Sequence, residues 1–365
     1  MLKILVVNTV PTSKNGITNV IMNYICSMNN KDVVFDLMSI NAPDKIYREV
    51  VESRGGNVYV LPRNGKAIIK YWFGLRSLVK RNTYNIVYIH GNSHTTLLDL
   101  SAARAGGCVV GMVHAHNTAC NHAIVHKVLA CLFDRVCTDR IACGEEAGKF
   151  MFGDKPFRVL NNGVDTIKFA YDKGKRDIIR KGFCWDEGCV VIGHVGYFNK
   201  VKNHKFIVDI FSELYKANSH YRLLLIGDGE LRKNVEKQIS ELELKEKVVL
   251  TGNVDNVSDY LNAMDFVIMP SLYEGLPLSL IEQQANGLPC FVSDTITREV
   301  DKTGYLMFLP LSKTAKEWAS QIVSYKDGLT RKSRSEINIR CIKAVGYSIH
   351  EEADKLNEFF VDALK

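Results

Sequence analysis

The chain has 365 residues, of which 46% are hydrophobic and 24% are charged, and its formal net charge is +7. This length predicts two domains, each large enough to bury a core of its own. The mild positive charge suits phosphate-bearing substrates or an anionic lipid surface, whereas the lack of any nucleic-acid motif argues against nucleic acid as a partner.

The cysteines and the start of the chain indicate the compartment. The ten cysteines form no C-x-x-C pair, and we interpret them as buried free thiols in a reducing environment. No apolar run reaches the roughly 18 residues that a membrane-spanning helix needs. The apolar stretch at 4–7 is too short for a signal-peptide core, so we expect a buried first strand and a cytoplasmic chain.

The N-terminal half alternates short β-branched runs with amphipathic stretches. The runs predict strands at 3–8, 33–39, 57–61, 85–90, 109–114 and 157–160. The amphipathic stretches predict helices at 17–28, 44–54, 65–81, 94–105 and 121–137. Such alternation is typical of a parallel sheet with helices on both faces.

The alternation breaks over 161–188, a polar segment that begins with a turn and that we interpret as a linker. It restarts at 190–196. Further strands are predicted at 222–226, 247–251, 265–269 and 289–292, with helices at 204–217, 230–242, 257–263 and 278–286. The remainder, 312–365, is mostly helical by period.

These patterns predict an α/β chain with two doubly wound, Rossmann-like domains. The N-terminal domain covers 1–163 and the C-terminal domain covers 164–345, while a last helix in 346–365 could pack back on the N-terminal domain. Two such domains that face a central cleft would place the carboxyl ends of their strands there, where α/β sheets bind ligands.

The segment 270–282 carries the most chemical information. Glu274 lies in a loop after the apolar strand pattern 266–269, and Gly275 lets a ligand approach the backbone closely. A helix pattern opens at Leu278, so the first amides of that helix are free to donate to a phosphate.

Glu282 lies about one turn into the same helix. Two carboxylates on either side of an anion-binding helix start suit a nucleotide sugar, because one can bind sugar hydroxyls and the other ribose hydroxyls. An isolated E-x7-E pair would be read as ordinary surface charges. The strand, loop and helix around this pair favour a binding site instead.

The segment resembles the E-x7-E signature of the retaining family-four glycosyltransferases of the GT-B fold, and most of all their bacterial capsular and exopolysaccharide branch. Further matching motifs lie along nearly the whole chain: Val113–Asn117, Asn162–Asp165, His194–Gly196, Lys202–His204, Gly227–Glu230, Gly287–Cys290, Ser293–Asp294 and Glu317–Ala319. Together they are specific for the family but not for a sugar.

The resemblance implies roles in the C-terminal domain. Glu274 would hold the donor sugar, Glu282 the ribose, and Lys202 the diphosphate. The other implied donor-binding residues are Gly196, Tyr197, Gly275, Leu276, Leu278 and Ser279. Taken alone, Lys202 would be read as a solvated lysine in a turn. Its place after a strand that ends in Gly196 favours contact with a phosphate instead.

In the N-terminal domain the resemblance implies that Gly16 faces the phosphates, and that His114 and His116 line the acceptor and sugar side of the cleft. The two histidines share one strand face by period two, and a pair of hydrogen-bonded core histidines is the alternative. We see no third ligand near them, so no metal is predicted. The turn 227–230 lacks the spacing of a dinucleotide loop and is interpreted as a strand–helix turn beside the nucleotide base.

Two positions depart from the family pattern. The family usually has a double glycine where Asn15–Gly16 stands, and an arginine where this chain has Tyr197. An arginine pairs with the leaving diphosphate, whereas a tyrosine donates only one neutral hydrogen bond.

The implied activity is transfer of a sugar, with retention, from a nucleotide sugar to a saccharide acceptor. A uridine diphosphate sugar is the commonest family donor, and a lipid-linked acceptor fits the polymer-building branch. Lys202 and the helix amides would stabilise the departing charge without a metal or cofactor. Two alternatives stay open: a nonhydrolysing nucleotide-sugar epimerase, and a weak or inactive partner subunit, which Tyr197 favours.

The helix predicted at 65–81 suggests contact with a membrane. Its basic residues, Lys66, Lys70, Lys80 and Arg81, share one side, and most of its apolar residues, from Ile68 to Val79, share the other. An ordinary sheet-packing helix has the same pattern. We interpret it first as such a helix. Phe73, however, projects among the lysines, which raises the hypothesis of reversible association with the anionic inner face of a membrane.

Overall fold

A computed structural model of the chain describes residues 2–13, 15–30, 32–63, 65–120, 122–326 and 328–365, without the side chain of Lys66. The chain splits into two compact units: residues 1–163 with 346–365, and residues 164–345. Among the described residues, we find no helix with the length and apolar character that crossing a membrane requires.

The N-terminal unit is built on a parallel sheet. Its strands are β1 (Leu2–Asn8), β2 (Val33–Ser39), β3 (Val58–Val60), β4 (Ile86–His90), β5 (Val110–Ala115), β6 (Asp139–Ala142) and β7 (Arg158–Val159). They lie in the order β3-β2-β1-β4-β5-β6-β7. The centre of the sheet is apolar on both faces, as parallel sheets covered by helices require.

Six helices connect these strands in the described part of the unit: α1 (Gly16–Ser27), α2 (Lys45–Ser53), α3 (Ile68–Asn82), α4 (Leu97–Ala105), α5 (Ala123–Asp134) and α6 (Glu145–Phe152). Helices α3 to α6 contribute to one apolar core, so they cover the same face of the sheet. Short 3-10 turns precede α3 at Gly65–Ala67 and α4 at His94–Thr96.

The C-terminal unit repeats this architecture. Its strands are β8 (Val190–Val195), β9 (Tyr221–Ile226), β10 (Val248–Leu250), β11 (Phe266–Met269), β12 (Cys290–Ser293) and β13 (Leu306–Leu309). They lie in the order β10-β9-β8-β11-β12-β13 and pair in parallel. Its helices are α7 (Lys173–Gly182), α8 (His204–Ala217), α9 (Arg232–Glu241), α10 (Val257–Ala263), α11 (Leu278–Ala285), α12 (Ala315–Ser324) and α13 (Arg331–Ala344).

The last helix, α14 (Ile349–Asp362), belongs to the N-terminal unit. It buries Leu356 and Phe360, and the ring of Phe360 lies 6.1 Å from that of Phe35 on β2. The Glu352 carboxylate accepts a 2.7 Å hydrogen bond from the backbone N–H of Asn161. These contacts hold the end of the chain against the first sheet.

The linker predicted over 161–188 is wrong in part, because it contains α7. This helix has no sustained apolar run: Arg180 is its buried residue, and Asp172 caps its first turn by accepting from the backbone N–H of Lys175. Arg176 and Arg180 instead pair with Asp265, at 2.6 and 3.5 Å. The sequence pattern also missed α6 and the four-residue strands β6 and β13.

Candidate active site

The C-terminal sheet has one point where its strand order reverses. Strand β8 is followed along the chain by β9 on one side, whereas its other neighbour is β11. In open parallel sheets ligands bind at the carboxyl ends of the strands at such a point. The loop 196–203 after β8 and the loop 270–277 after β11 therefore border the expected binding position.

Hydrogen bonds fasten these two loops to each other. The backbone N–H of Leu272 donates to the carbonyl of Val201 at 2.8 Å. The side chain of Asn203, whose backbone is left-handed with a φ of 56°, donates to the carbonyl of Pro270 at 3.1 Å. The loops can therefore present their polar side chains in a fixed arrangement.

The side chains of Lys202 and Glu274 meet across the two loops. The Lys202 ammonium lies 2.6 Å from Glu274 Oε1, and the two side chains are 17% and 14% exposed. The backbone of Glu274 forms a parallel bridge with Ile296, which anchors the loop on its other side. The sequence predicted both residues for the donor site, but it did not predict that they pair.

Close backbone packing surrounds the end of β8. A Cβ on Gly196 would lie 2.8 Å from the His194 ring, and a Cβ on Gly227 would lie 2.1 Å from the carbonyl oxygen of Gly196. Gly227 also has a φ of 131°, which side chains rarely allow. The segment 227–230 is thus the tight strand–helix turn that the sequence indicated, and it leads toward α9.

Helix α11 begins without a side-chain cap. Pro277 occupies its N-cap position, and the backbone N–H groups of Leu278 and Ser279 have no acceptor among the described residues. A Cβ on Gly275 would meet nothing within 4 Å, so the loop before the helix is open, while Leu276 is half-buried. Free amides at the positive end of a helix form a site for an anion.

Glu282 lies in the second turn of α11 and is half-buried. Its carboxylate has no hydrogen-bond partner among the described side chains. Burial raises the pKa of this carboxyl to about 7, and the positive charge of Lys168 opposes that shift. Lys168 lies in the segment that the sequence pattern left as a linker, and no motif pointed to it.

Tyr197 directly follows Gly196 and is 55% exposed. Its hydroxyl has no hydrogen-bond partner within the part of the chain that the structure describes. The ring is therefore free to face a ligand, although it brings no positive charge.

Gly16 lies in the other unit, after β1. It starts α1, and Asn15 caps that helix by accepting from the backbone N–H of Thr18 at 3.0 Å. Gly16 is exposed, and a Cβ there would meet nothing within 4 Å. In this position the capping asparagine replaces the first glycine of the family's usual pair.

His114 and His116 do lie together, with ring centroids 4.2 Å apart. His114 is fully buried, and its Nδ1 lies 2.6 Å from the Tyr88 hydroxyl, whereas His116 is half-buried. Of the two, His116 alone has exposed surface with which to touch a substrate.

The expectation that no third imidazole lies near is wrong. His90 Nδ1 lies 2.8 Å from His116 Nε2. The register of the sheet explains this contact, because His90 ends β4 and pairs with His114 on β5. Two strand patterns that each end in histidine were the available signal in the sequence.

The candidate residues thus form two groups, one in each unit. Lys202, Glu274, Glu282 and the start of α11 belong to the C-terminal unit, and Gly16 with the histidines belongs to the N-terminal unit. Each group lies at the carboxyl end of its own sheet. In both sheets this is the edge that binds ligands in doubly wound folds.

Comparison with known proteins identifies the family. Residues 189–326 match the family model described as Glycosyl transferases group 1. The putative glycosyltransferase EpsF of Bacillus subtilis is 32% identical over 326 residues, which cover 85% of this chain and 84% of EpsF. The chain belongs to the group 1 glycosyltransferases.

Other relatives agree with this assignment. The transferase is 29% identical over 321 residues to the Escherichia coli UDP-Gal:alpha-D-GlcNAc-diphosphoundecaprenol alpha-1,3-galactosyltransferase, covering 80% of this chain and 79% of that enzyme. Its fold matches the crystal structure of Anabaena Alr3699/HepE in complex with UDP, with a TM-score of 0.76 at 15% identity over 99% of this chain and 100% of that one. The GT-B fold class predicted from the sequence is confirmed.

Proposed function

We propose that this glycosyltransferase moves a sugar from a uridine diphosphate sugar to a saccharide acceptor on a lipid carrier, with retention, during surface polysaccharide synthesis. The observation that carries the proposal is the Lys202–Glu274 pair at the strand-order reversal of a sheet whose next helix starts with free amides. The name of the Escherichia coli relative supports a UDP-sugar donor and a diphosphoundecaprenol-linked acceptor.

The charges suit the departure of a diphosphate. As the bond from the anomeric carbon to the phosphate oxygen breaks, negative charge develops on the leaving group. The Lys202 ammonium and the N–H groups of Leu278 and Ser279 would stabilise that charge in a partly buried site, which makes each interaction stronger than in water. No metal ion is needed in this step.

Glu274 would accept hydrogen bonds from hydroxyls of the donor sugar. Its carboxylate is already held by Lys202, so its position is set before the sugar arrives. With retention, the acceptor hydroxyl attacks from the face that the diphosphate leaves. The departing phosphate oxygen takes the hydroxyl proton as the new glycosidic bond forms.

Glu282 would bind the ribose of the nucleotide. A half-buried carboxylate without a hydrogen-bond partner among the described residues can accept one hydrogen bond on each oxygen, and the two ribose hydroxyls are adjacent donors. Tyr197, in place of the family's arginine, would add at most one neutral hydrogen bond to the diphosphate. This transferase would therefore rely on Lys202 and the start of α11.

An assay of the purified chain tests the proposal and separates it from its alternatives. A panel of UDP-sugars is incubated with and without a diphosphate-lipid-linked saccharide, and the nucleotide and lipid products are identified by mass spectrometry. We expect UDP release together with an acceptor extended by one sugar. Interconversion of two UDP-sugars without UDP release would indicate an epimerase, and no turnover of any donor would indicate an inactive partner subunit.

The surface of α3 and α5 supports a membrane contact. Helix α3 buries Tyr71, Leu75, Leu78 and Val79, but Ile69 and Phe73 are 71% and 55% exposed beside the exposed Lys70. Ile68, predicted on the sheet-facing side, is exposed instead, because it is the first residue of the helix after a 3-10 turn. On α5, Ile124, Val128 and Leu132 are exposed at helical spacing.

We therefore propose that α3 and α5 rest on an anionic membrane while the active site works on a lipid-linked acceptor. Exposed apolar side chains with a flanking lysine suit the boundary between headgroups and acyl chains. In co-sedimentation with anionic vesicles at low salt, the wild type should pellet and a Lys66/Lys70/Phe73 triple substitution should not. Val345→Ser, at an exposed apolar position in the other unit, is the control. Equal pelleting of the wild type and the triple variant would contradict this contact.

A further inference from the structure

Three imidazoles meet at the carboxyl ends of β4 and β5, and we call His90, His114 and His116 the histidine cluster. Their ring centroids are separated by 4.2 to 5.3 Å. His90 and His114 are almost completely buried, and His116 is half-buried. Strands β1 and β4 are the neighbours between which the strand order of this sheet reverses, so the cluster lies where doubly wound sheets bind ligands.

Each ring of the histidine cluster has a buried nitrogen without a hydrogen-bond partner in the described structure. These atoms are Nε2 of His90, Nε2 of His114 and Nδ1 of His116. Buried nitrogens usually have partners, because an unpaired one costs about 1–3 kcal/mol. Of these atoms, Nε2 of His114 is free to bind a ligand outside the chain, because Nδ1 of the same ring already contacts the Tyr88 hydroxyl.

Another buried histidine of the same unit shows what a purely structural role looks like. The ring nitrogens of His94 lie 2.6 Å from the carbonyl oxygen of His126 and 2.7 Å from that of Met151. Each of its ring nitrogens thus lies within hydrogen-bonding distance of a backbone carbonyl oxygen. Unpaired buried nitrogens also occur on His194 and His204 of the other unit, so what sets the histidine cluster apart is that three such rings lie within reach of one ion.

The chemistry of the cluster favours a cation that binds neutral imidazole. Burial of the three imidazoles disfavours their charged form, because a buried charge without a counterion is costly. A neutral ring offers one nitrogen lone pair, the donor that zinc, copper and nickel prefer. Within the described residues no carboxylate joins the cluster, which disfavours magnesium and calcium.

The distances fit a metal ion after small movements. One nitrogen from each ring can be chosen so that all three lie within 4.8 Å of one another, and the closest pair is 2.8 Å apart. Tetrahedral zinc with bonds of about 2.0–2.1 Å needs nitrogens roughly 3.4 Å apart. Ring rotations of less than about 1.5 Å at the nitrogens therefore suffice.

We propose that the histidine cluster binds one divalent transition-metal ion, with zinc as the best-fitting ion, through its three imidazoles and leaves a fourth position for water or another ligand. The ion would take the place of the proton that His90 and His116 now share. If His114 binds through Nε2, its Nδ1–H donates to the Tyr88 hydroxyl, which orients the ring. Asn92 further fixes the loop by accepting from the backbone N–H of His116 at 3.0 Å.

The metal proposal does not rest on the proposed transfer chemistry. The histidine cluster belongs to the N-terminal unit, whereas Lys202, Glu274 and Glu282 belong to the C-terminal unit. Measurements of metal binding alone therefore test the metal proposal. We still expect sugar transfer to proceed without a metal ion. Failure of either proposal leaves the other intact.

Calorimetric titration of the chelator-treated full chain with zinc tests the site. We expect one zinc ion per chain and, with cobalt, the visible absorption bands of a four-coordinate ion. His90→Ala and His116→Ala should each weaken zinc binding by more than about 100-fold, because even groups that only orient ligands are worth about 10- to 100-fold. His122→Ala, at an exposed histidine of the same unit, should bind as the wild type does.

Tyr88→Phe tests the site even if the histidine variants misfold. It keeps the buried ring but removes the hydroxyl that orients His114, so it should weaken zinc by about 10- to 100-fold without loss of the fold. Circular dichroism and the shift of the thermal midpoint with zinc check the fold and the binding together. The absence of zinc uptake by the wild type would overturn the proposal. Unchanged affinity in folded His116→Ala would overturn it as well.

Discussion

The two units share one topology but differ in what they place at the point where the strand order reverses. In the C-terminal unit this point holds a lysine–glutamate pair beside a helix whose first amides are free. In the N-terminal unit it holds three imidazoles, each with an unpaired buried nitrogen. The first set suits a phosphate and sugar hydroxyls, whereas the second suits a metal ion or a neutral ligand. The topology of each sheet thus sets where a ligand binds, and the side chains at that point determine which ligand binds there.

The largest expected effect comes from removing the positive charge of Lys202 in the C-terminal unit. Lys202→Met should lower the rate of sugar transfer by about 100- to 1000-fold, the usual cost of removing one group that stabilises a developing charge. Lys200→Met removes an exposed lysine of the same loop and should leave the rate unchanged. Equal rates for Lys202→Met and the wild type would contradict the proposed difference between the units, because Lys202 would then not stabilise the leaving diphosphate.

Glu282 should contribute to donor binding by a smaller amount. Glu282→Ala removes the acceptor for the ribose hydroxyls, which should cost about 1–3 kcal/mol of affinity for a UDP-sugar. Calorimetry measures this loss, and circular dichroism checks that the variant is folded. An unchanged affinity in a folded variant would remove Glu282 from the site.

The pKa of Glu282 should make both donor binding and the stability of the fold depend on pH. Because this pKa is raised to about 7, the carboxylate is mostly protonated at about pH 6 and mostly ionised at about pH 8. Affinity for a UDP-sugar should therefore rise across this range in the wild type and stay nearly flat in Glu282→Gln. A raised carboxyl pKa also means that the folded state loses stability as the pH rises toward 7, so Glu282→Gln should melt higher at alkaline pH.

Tyr197 offers a gain of function. Tyr197→Arg restores the family's usual residue and should tighten UDP binding by about 1 kcal/mol, since solvent weakens a pair at an exposed position. Val345→Arg adds the same charge at another exposed position and should have little effect. If Tyr197→Arg binds UDP no better than the wild type, Tyr197 does not face the phosphates.

The smallest expected effect is that of a chelator. If lysine and helix amides stabilise the leaving group, excess EDTA should leave the transfer rate unchanged, even where it removes zinc from the histidine cluster. The measurement compares initial rates with EDTA and after back-titration with magnesium or manganese. Loss of activity with EDTA, restored by either ion, would contradict metal-free transfer. A metal ion would then take part in the chemistry of both units.

The sequence predicted the elements around the site better than the contacts within it. Strands β8 and β11 are short apolar runs bounded by glycine or proline, so their ends and the loop that holds Glu274 could be placed. The pairing of Lys202 with Glu274 could not, because 72 residues separate them and only the strand register brings them together. The contact of His90 with His116 could not be predicted for the same reason, because the register of β4 and β5 creates it. Helix α7 was missed because charges, and not apolar side chains, attach it to the fold.

Hydrogen–deuterium exchange of the peptide that spans 270–282, with and without saturating UDP, tests most directly whether the start of α11 binds the donor diphosphate. The N–H groups of Leu278 and Ser279 have no acceptor among the described residues, so they should exchange freely in the unliganded protein. We predict that UDP slows their exchange in the wild type and does so less in Lys202→Met. If UDP binds and the exchange of this peptide stays unchanged, the diphosphate lies elsewhere and the account is wrong.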